Sequence, residues 1–278
     1  MRKPKKLEVI TINLDGSSYT SELSKFDENG NVIENIEFEE DASVQNKTIS
    51  KYDDENRLLE EIIWLDGEIV SEHKKYMRNE DGSIDRIEIN YQDESTAIQY
   101  TKKDEEKHTE EWIEEDENGE LESRELVQND HSGKILSREV FDYRNKLKEA
   151  FEFIYNENGY LVTRKQLDNK RKLFLVTEYQ YDENKNIIFR ANRNRKGVLS
   201  DFLKMDYDEN GQVIKQNISG KYSFNYEYDL NGRTVLEERY LADNELEYQS
   251  RFEYDEDGRM TKEVNLEFTK EYRYEFFE

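Results

Sequence analysis

Tyr207-Asp208-Glu209-Asn210-Gly211, followed by Val213-Ile214, decides how this chain folds, because it recurs. The same turn stands as Phe26-Asp27-Glu28-Asn29-Gly30, Tyr52-Asp53-Asp54-Glu55-Asn56, Tyr155-Asn156-Glu157-Asn158-Gly159, Tyr181-Asp182-Glu183-Asn184, Tyr228-Asp229-Leu230-Asn231-Gly232 and Tyr254-Asp255-Glu256-Asp257-Gly258. The steps 26→52, 155→181→207 and 228→254 are each 26 residues, and the step 207→228 is 21. Weaker copies keep the phase between them: Arg78-Asn79-Glu80-Asp81-Gly82, Asp104-Glu105-Glu106 and Asn129-Asp130-His131-Ser132-Gly133. A fixed period of this size means one supersecondary unit repeated along the chain.

Each unit carries a second turn halfway, as at Asp15-Gly16, Asp66-Gly67, Asn118-Gly119, Asp168-Asn169 and Arg195-Lys196-Gly197. About 21 turns leave about 22 short strands between them, and regular short spacing is an all-β signature. Before the tyrosine turns, aromatics alternate, as in Phe151/Phe153/Tyr155 and Phe224/Tyr226/Tyr228, which places them on one face of a strand. Asp opens a type I turn, and Asn-Gly supplies the left-handed residue that closes a hairpin. The single proline, Pro4, interrupts no ladder. Residues 102–115 are rich in Glu and Lys and could be helical, but the repeat phase crosses them, which favours strand. The expectation is therefore an all-β fold. It is a repetitive antiparallel β-meander of 26-residue hairpins, one repeat domain over residues 1–278 with about ten units, less regular near 83–150. Laid flat, 22 strands would span about 105 Å, and a sheet that wide with one apolar face should twist into a curled or spiral sheet.

Composition narrows the function classes. The chain holds 41 Lys and Arg against 66 Asp and Glu, a net charge of −25. Coating nucleic acid with the whole surface needs the opposite sign. An acidic surface suits solubility and the electrostatic steering of a basic partner. Nineteen Tyr and 13 Phe are too many for a disordered acidic tail. Cysteine is absent, so thiolate chemistry and disulfides are excluded. The basic start, Arg2, Lys3, Lys5 and Lys6, is followed by an alternating strand pattern and not by a signal-peptide core, which reads as cytoplasmic, or as secreted had a leader been removed. No stretch approaches the ~20 apolar residues of a membrane helix.

At Tyr226-Glu227-Tyr228-Asp229-Leu230-Asn231-Gly232-Arg233 and Phe252-Glu253-Tyr254-Asp255-Glu256-Asp257-Gly258-Arg259 the chain resembles the YD repeats of Rhs-type proteins, with the pattern Tyr-x-Tyr-Asp-x-x-Gly-Arg. The resemblance implies a long spiral β-sheet of the kind that family builds as a shell around a toxin. The chain departs from the family in its longer period and its short length. It also lacks any Asp-Pro cleavage motif, since its only proline is Pro4. What is implied is a fold and not toxin delivery. MORN-like repeat proteins, some of them antitoxins, are a looser comparison.

Catalytic constellations do not emerge. His73, His108 and His131 lack metal-ligand spacing, the Asp-rich turns lack the alternating ligands of a calcium loop, and carboxylates are too common for any pair to stand out. No enzyme activity, cofactor or metal is expected. Successive turns of a meander alternate between its two rims, so the tyrosine turns share one uniformly acidic rim. The other rim changes sign along the chain. Residues 104–122 hold eleven acidic side chains around Trp112, and residues 164–196 hold ten basic and four acidic ones. The candidate partner-binding residues are therefore Glu110, Glu111, Trp112, Glu114, Glu115, Asp116 and Glu117, with Lys170, Arg171, Lys172, Arg193, Arg195 and Lys196. Trp112 and Trp64 are candidate anchors; charge balance within the sheet is the competing account of both regions. The expected function is a non-enzymatic acidic protein-binding module that occludes a basic partner, a toxin or another nucleic-acid-handling protein, as an inhibitor or immunity protein would. Direct nucleic-acid binding is expected only through the 164–196 patch. The alternatives are a structural shell or cell-surface fragment and a glycan-binding protein.

Overall fold

The structure, a computed structural model, describes residues 2–278. Twenty-two strands, from β1 (Pro4–Asn13) to β22 (Phe268–Phe276), follow one another as an antiparallel meander. Residues 102–115, where a helix was the alternative, form β8 (Thr96–Asp104) and β9 (Thr109–Asp116). No helix is long and apolar enough to cross a membrane. The chain forms two compact units, Met1–Gln99 with Ser250–Glu278, and Tyr100–Gln249.

The meander is closed. Within the first unit, β1 pairs with β2 (Ser18–Phe26) on one side, Val9 opposite Glu22, and with β22 on the other, Val9 opposite Tyr272. In hydrogen-bond topology the sheet is a 22-stranded β-barrel, and this return pairing overturns the expected curled or spiral open sheet. The physical reason is the fate of the edges. An open meander leaves two rows of unpaired backbone groups, and pairing the first strand with the last removes both.

The strands are one-sided as expected, but few of their residues are fully buried. Among the described residues only Val9, Ile89, Ala97, Ile113, Val127, Ala150, Ala191 and Leu236 form the fully buried hydrophobic set, three of them in the first unit and five in the second. The accessible area is 18054 Å² for 33.5 kDa, against about 12,700 Å² expected of a compact monomer of that mass. Cross-strand pairs therefore carry much of the packing. In β12 (Leu147–Tyr155) one face carries Phe151, Phe153 and Tyr155, the other Lys148, Ala150, Glu152 and Ile154. Arg138 and Arg164 lie over the Phe151 ring at 5.6 and 5.8 Å, and Arg138 is ion-paired to Glu125.

The repeated turn is built as its residues require. In the copy at residues 27–31, the Gly30 N–H donates to the Asp27 carbonyl at 3.0 Å, Gly30 takes φ +91°, and a register shift puts a bulge beside Phe26. Where glycine is missing, Asn56 and Lys185 take the left-handed position at φ +63° and +75°. The Asp27 carboxylate accepts the backbone N–H groups of Asn29 and Asn31, both at 2.9 Å. The tyrosine does a separate job. Tyr155, Tyr181 and Tyr207 donate their hydroxyls to the carbonyls of Ile135, Leu161 and Ile187 at 2.9, 2.7 and 2.8 Å, each reaching 20 residues back to the start of the strand after the preceding tyrosine turn. Arg78, which leads one of the copies without a tyrosine, reaches the Leu58 carbonyl at 3.0 Å in the same way. Each latch ties one hairpin to the one before it.

Candidate functional site

The acidic rim contains two classes of carboxylate. The leading Asp of each turn is used by the fold. Backbone N–H groups, from Arg57 to Asp53, from Lys134 to Asp130 and from Arg233 to Asp229, hold these carboxyls below the usual range. At three turns, led by Asn156, Asp182 and Asp208, the following residue is not used. Glu157, Glu183 and Glu209 are exposed, with no hydrogen bond or ion pair among the described residues. In the second unit, open grooves lie along this rim between adjacent hairpins. One of about 570 Å³ is lined by Asp182, Asp206 and Asp208 with Lys204, over Phe189 and Met205. The next, about 730 Å³, is lined by Asp208, Glu227 and Asp229 beside Tyr226 and Tyr228. The second, with no cation in its lining, presents carboxylates beside aromatic rings, which fits the aliphatic stem and charged head of a Lys or Arg side chain.

The turn aspartates make stability acid-sensitive. Their folded pKa lies below the unfolded value, so their contribution is present above about pH 4 and is lost as pH falls through the folded values. The denaturation midpoint should therefore fall between pH 5 and pH 2.5. Asn156 and Asn194 already cap their turns through an amide oxygen, the first accepting from Asn158 and Tyr160 at 3.1 and 2.9 Å. The triple variant Asp53→Asn, Asp130→Asn, Asp229→Asn should thus keep its fold at pH 7 and flatten that acid dependence; an unchanged slope would show that other groups set it.

The acidic candidates on β9 do not form one surface. Glu110, Trp112 and Glu114 point to one face of the strand, Glu111, Ile113 and Glu115 to the other. Glu110 lies 3.6 Å from Lys103 and Glu111 3.5 Å from Arg124. Glu114 accepts from Ser123 at 3.5 Å, and Glu115 accepts the Tyr100 hydroxyl at 2.7 Å, which together with the larger effect of burial pushes that phenol up to about 12. Asp116 caps its own turn through the N–H groups of Asn118 and Glu120, and Glu117 is exposed. Trp112 is 56% exposed, whereas Trp64 is half-buried beneath Lys47.

The basic candidates are brought together on the other rim of the second unit. Lys170, Arg171 and Lys172 form the turn between β13 (Leu161–Leu167) and β14 (Leu173–Tyr181). Arg195 and Lys196 lie in the turn between β15 (Ile187–Asn194) and β16 (Leu199–Tyr207), and Arg193 is the last residue but one of β15. Two are neutralised locally, Arg171 by Glu139 at 2.6 Å and Arg193 by Glu178 at 2.8 Å. The side chains of Lys170, Lys172, Arg195 and Lys196 make no hydrogen bond or ion pair among the described residues, although the charges of Lys170 and Lys172 act on Asp168.

Two features were not visible in the residues. The grooves depend on which hairpins are neighbours. A buried polar chain across β13–β16 likewise depends on register: Arg164 donates to Thr177 at 3.5 Å, Thr177 to Asn192 at 2.7 Å, and Asn192 to Asp201 at 2.8 Å. Thr177 is among the most buried side chains. The three histidines, separate in sequence, include one close pair, His108 and His131, edge to face at 4.5 Å. Among the described residues no group of three or more His, Cys, Asp or Glu could hold a metal ion.

No family model matches the chain, and no curated protein matches it. Among solved structures it is similar to TcdB2-TccC3, with a TM-score of 0.43 at 13% identity over 88% of this chain and 16% of that one. The chain thus spans about one sixth of that length. A porin-like protein from Bacteroides uniformis matches over 98% of both chains with a TM-score of 0.36 at 8% identity. The first is a weak, fold-level resemblance to a YD-repeat protein; the MORN-like comparison finds no counterpart in either. With TM-scores below 0.5, nothing about this chain's activity follows from these likenesses.

Proposed function

We propose that this protein is a non-enzymatic acidic binding module that occludes a basic protein partner, as an inhibitor or immunity protein would. The observation that carries the reading is the division of labour on the tyrosine-turn rim. Asn156, Asp182 and Asp208 are consumed by their turns, while the Glu157, Glu183 and Glu209 that follow them make no hydrogen bond or ion pair among the described residues, on the same rim as the two grooves. Hairpins of one rim repeat every two strands, about 10 Å apart, so successive turns would meet successive basic side chains of one partner surface. Such contacts give fast, salt-sensitive association more than raw affinity. A membrane role fits less well. In the second unit Arg164 and Gln166 lie on one face of β13 and Lys165 on the other, next to Glu152 and Glu178 of the flanking strands, whereas a membrane-spanning barrel carries an apolar outer band about 25 Å tall.

A labelled nona-arginine peptide serves as the probe, followed by anisotropy at low and physiological salt. The variant Glu157→Gln, Glu183→Gln, Glu209→Gln should weaken binding at least tenfold. Glu68→Gln, Glu94→Gln, Glu267→Gln, equal in charge but outside this rim, should change it less than twofold. Equal effects of the two variants would mean that net charge alone attracts the peptide, and the proposal would fail.

A further inference from the structure

The basic turns carry more than charge. Three consecutive turns on the second unit's other rim, at 142–146, 168–172 and 194–198, hold seven cations and two carboxylates. Both carboxylates are consumed. Asp142 accepts the N–H groups of Arg144 and Lys146 at 3.0 and 2.9 Å, and Asp168 those of Lys170 and Lys172 at 2.8 and 2.9 Å. Exposed aromatic rings stand among these cations. Tyr143 is 56% exposed with the Arg144 guanidinium over its ring at 4.9 Å, and Phe174, 59% exposed, follows Lys172 at the start of β14. Nothing in the fold uses the Phe174 ring: it has no ring partner among the described residues. A large apolar ring left in water between cations costs stability, and its position suits a ligand that is both anionic and flat.

We infer that this strip is a binding site for a short single strand of nucleic acid, with phosphates on Lys170, Lys172, Arg195 and Lys196 and bases stacked on Phe174 and Tyr143. Single-strand sites elsewhere combine these two elements, a cationic track and aromatic platforms that accept any base. Three turns about 10 Å apart make a track about 20 Å long, enough for three or four nucleotides. The net charge of −25 does not forbid it. The tyrosine-turn rim lies a strand length away, roughly 25 Å, about three Debye lengths at physiological salt, and on the strip's own rim the preceding acidic turn, 116–120, is about 10 Å from 142–146 but about three hairpins from Arg195 and Lys196. The site stands apart from the acidic rim, so either reading can fail without the other.

The test uses the full chain and a labelled twelve-nucleotide oligothymidylate, with binding read by anisotropy at 50 and 150 mM salt. The variant Lys170→Ser, Lys172→Ser, Arg195→Ser, Lys196→Ser should weaken binding at least tenfold and reduce the salt slope by about 3, near 0.7 per phosphate contact. Phe174→Ala should weaken binding about fivefold to a hundredfold while leaving that slope unchanged. Unchanged thermal melting of both variants excludes a folding defect. Inorganic polyphosphate of the same charge should bind more weakly than the oligonucleotide and should not respond to Phe174→Ala. The inference is overturned by no binding at 50 mM salt, by a Phe174→Ala variant that binds as the parent does, or by a polyglutamate peptide binding more tightly, which would assign the strip to an acidic protein.

Discussion

Glu8→Pro and Val9→Pro should each lower the stability of the protein by about 3–5 kcal/mol, measured by urea denaturation against Glu8→Ala and Val9→Ala. Adjacent residues of a strand direct their N–H groups to opposite sides, so the two prolines remove ladder bonds toward different neighbours. β1 has a neighbour on each side, with Glu8 opposite Leu23 and Arg273 and Val9 opposite Glu22 and Tyr272. Each proline therefore leaves an acceptor unsatisfied inside a continuous sheet, which costs roughly 1–3 kcal/mol before the ring's own clash is added. Val9 is 3% exposed, and this depth is why the alanine reference is needed. Were β1 an edge strand, one of the two prolines would face solvent and be tolerated. One silent proline would thus refute the closure, whereas two costly ones require it.

The second large effect concerns the tyrosine latch. Tyr155→Phe, Tyr181→Phe and Tyr207→Phe keep the ring and delete only the hydroxyl that reaches Ile135, Leu161 and Ile187. Each should cost about 1 kcal/mol, a typical net value for an intramolecular hydrogen bond. The three latches sit two strands apart, about 10 Å, so the triple variant should lose about 3 kcal/mol by near-additivity. That is a large share of a domain's usual 5–15 kcal/mol. Tyr143→Phe, whose ring is exposed on the other rim, should stay within 0.5 kcal/mol. A triple variant losing under 1 kcal/mol would mean that the tyrosines are kept for their rings alone.

Much of the site is legible in sequence for a local reason. The charge of a turn is carried by five contiguous residues, so the clustering of Lys170 to Lys172 and of Arg195 with Lys196 needed only the alternation of rims. The use of each charge was not legible. Arg171 and Arg193 look like their neighbours until Glu139 and Glu178 are found beside them, 32 and 15 residues away. Glu110 to Glu117 look like one acidic surface until the strand sends alternate side chains to opposite faces. Arg78 looks like a lost repeat until its guanidinium is found on the Leu58 carbonyl, where a tyrosine hydroxyl would be.

The sequence by itself determined the repeat, the hairpin turns and the antiparallel order of the strands, because these depend on φ preferences, Asx capping and alternation within about ten residues. The tertiary structure decided that the first strand pairs with the last. It also decided which carboxylates and cations make no hydrogen bond or ion pair. These outcomes follow from twist summed over many strands and from register between residues far apart in the chain. No single repeat encodes them, since each is consistent with either an open or a closed sheet.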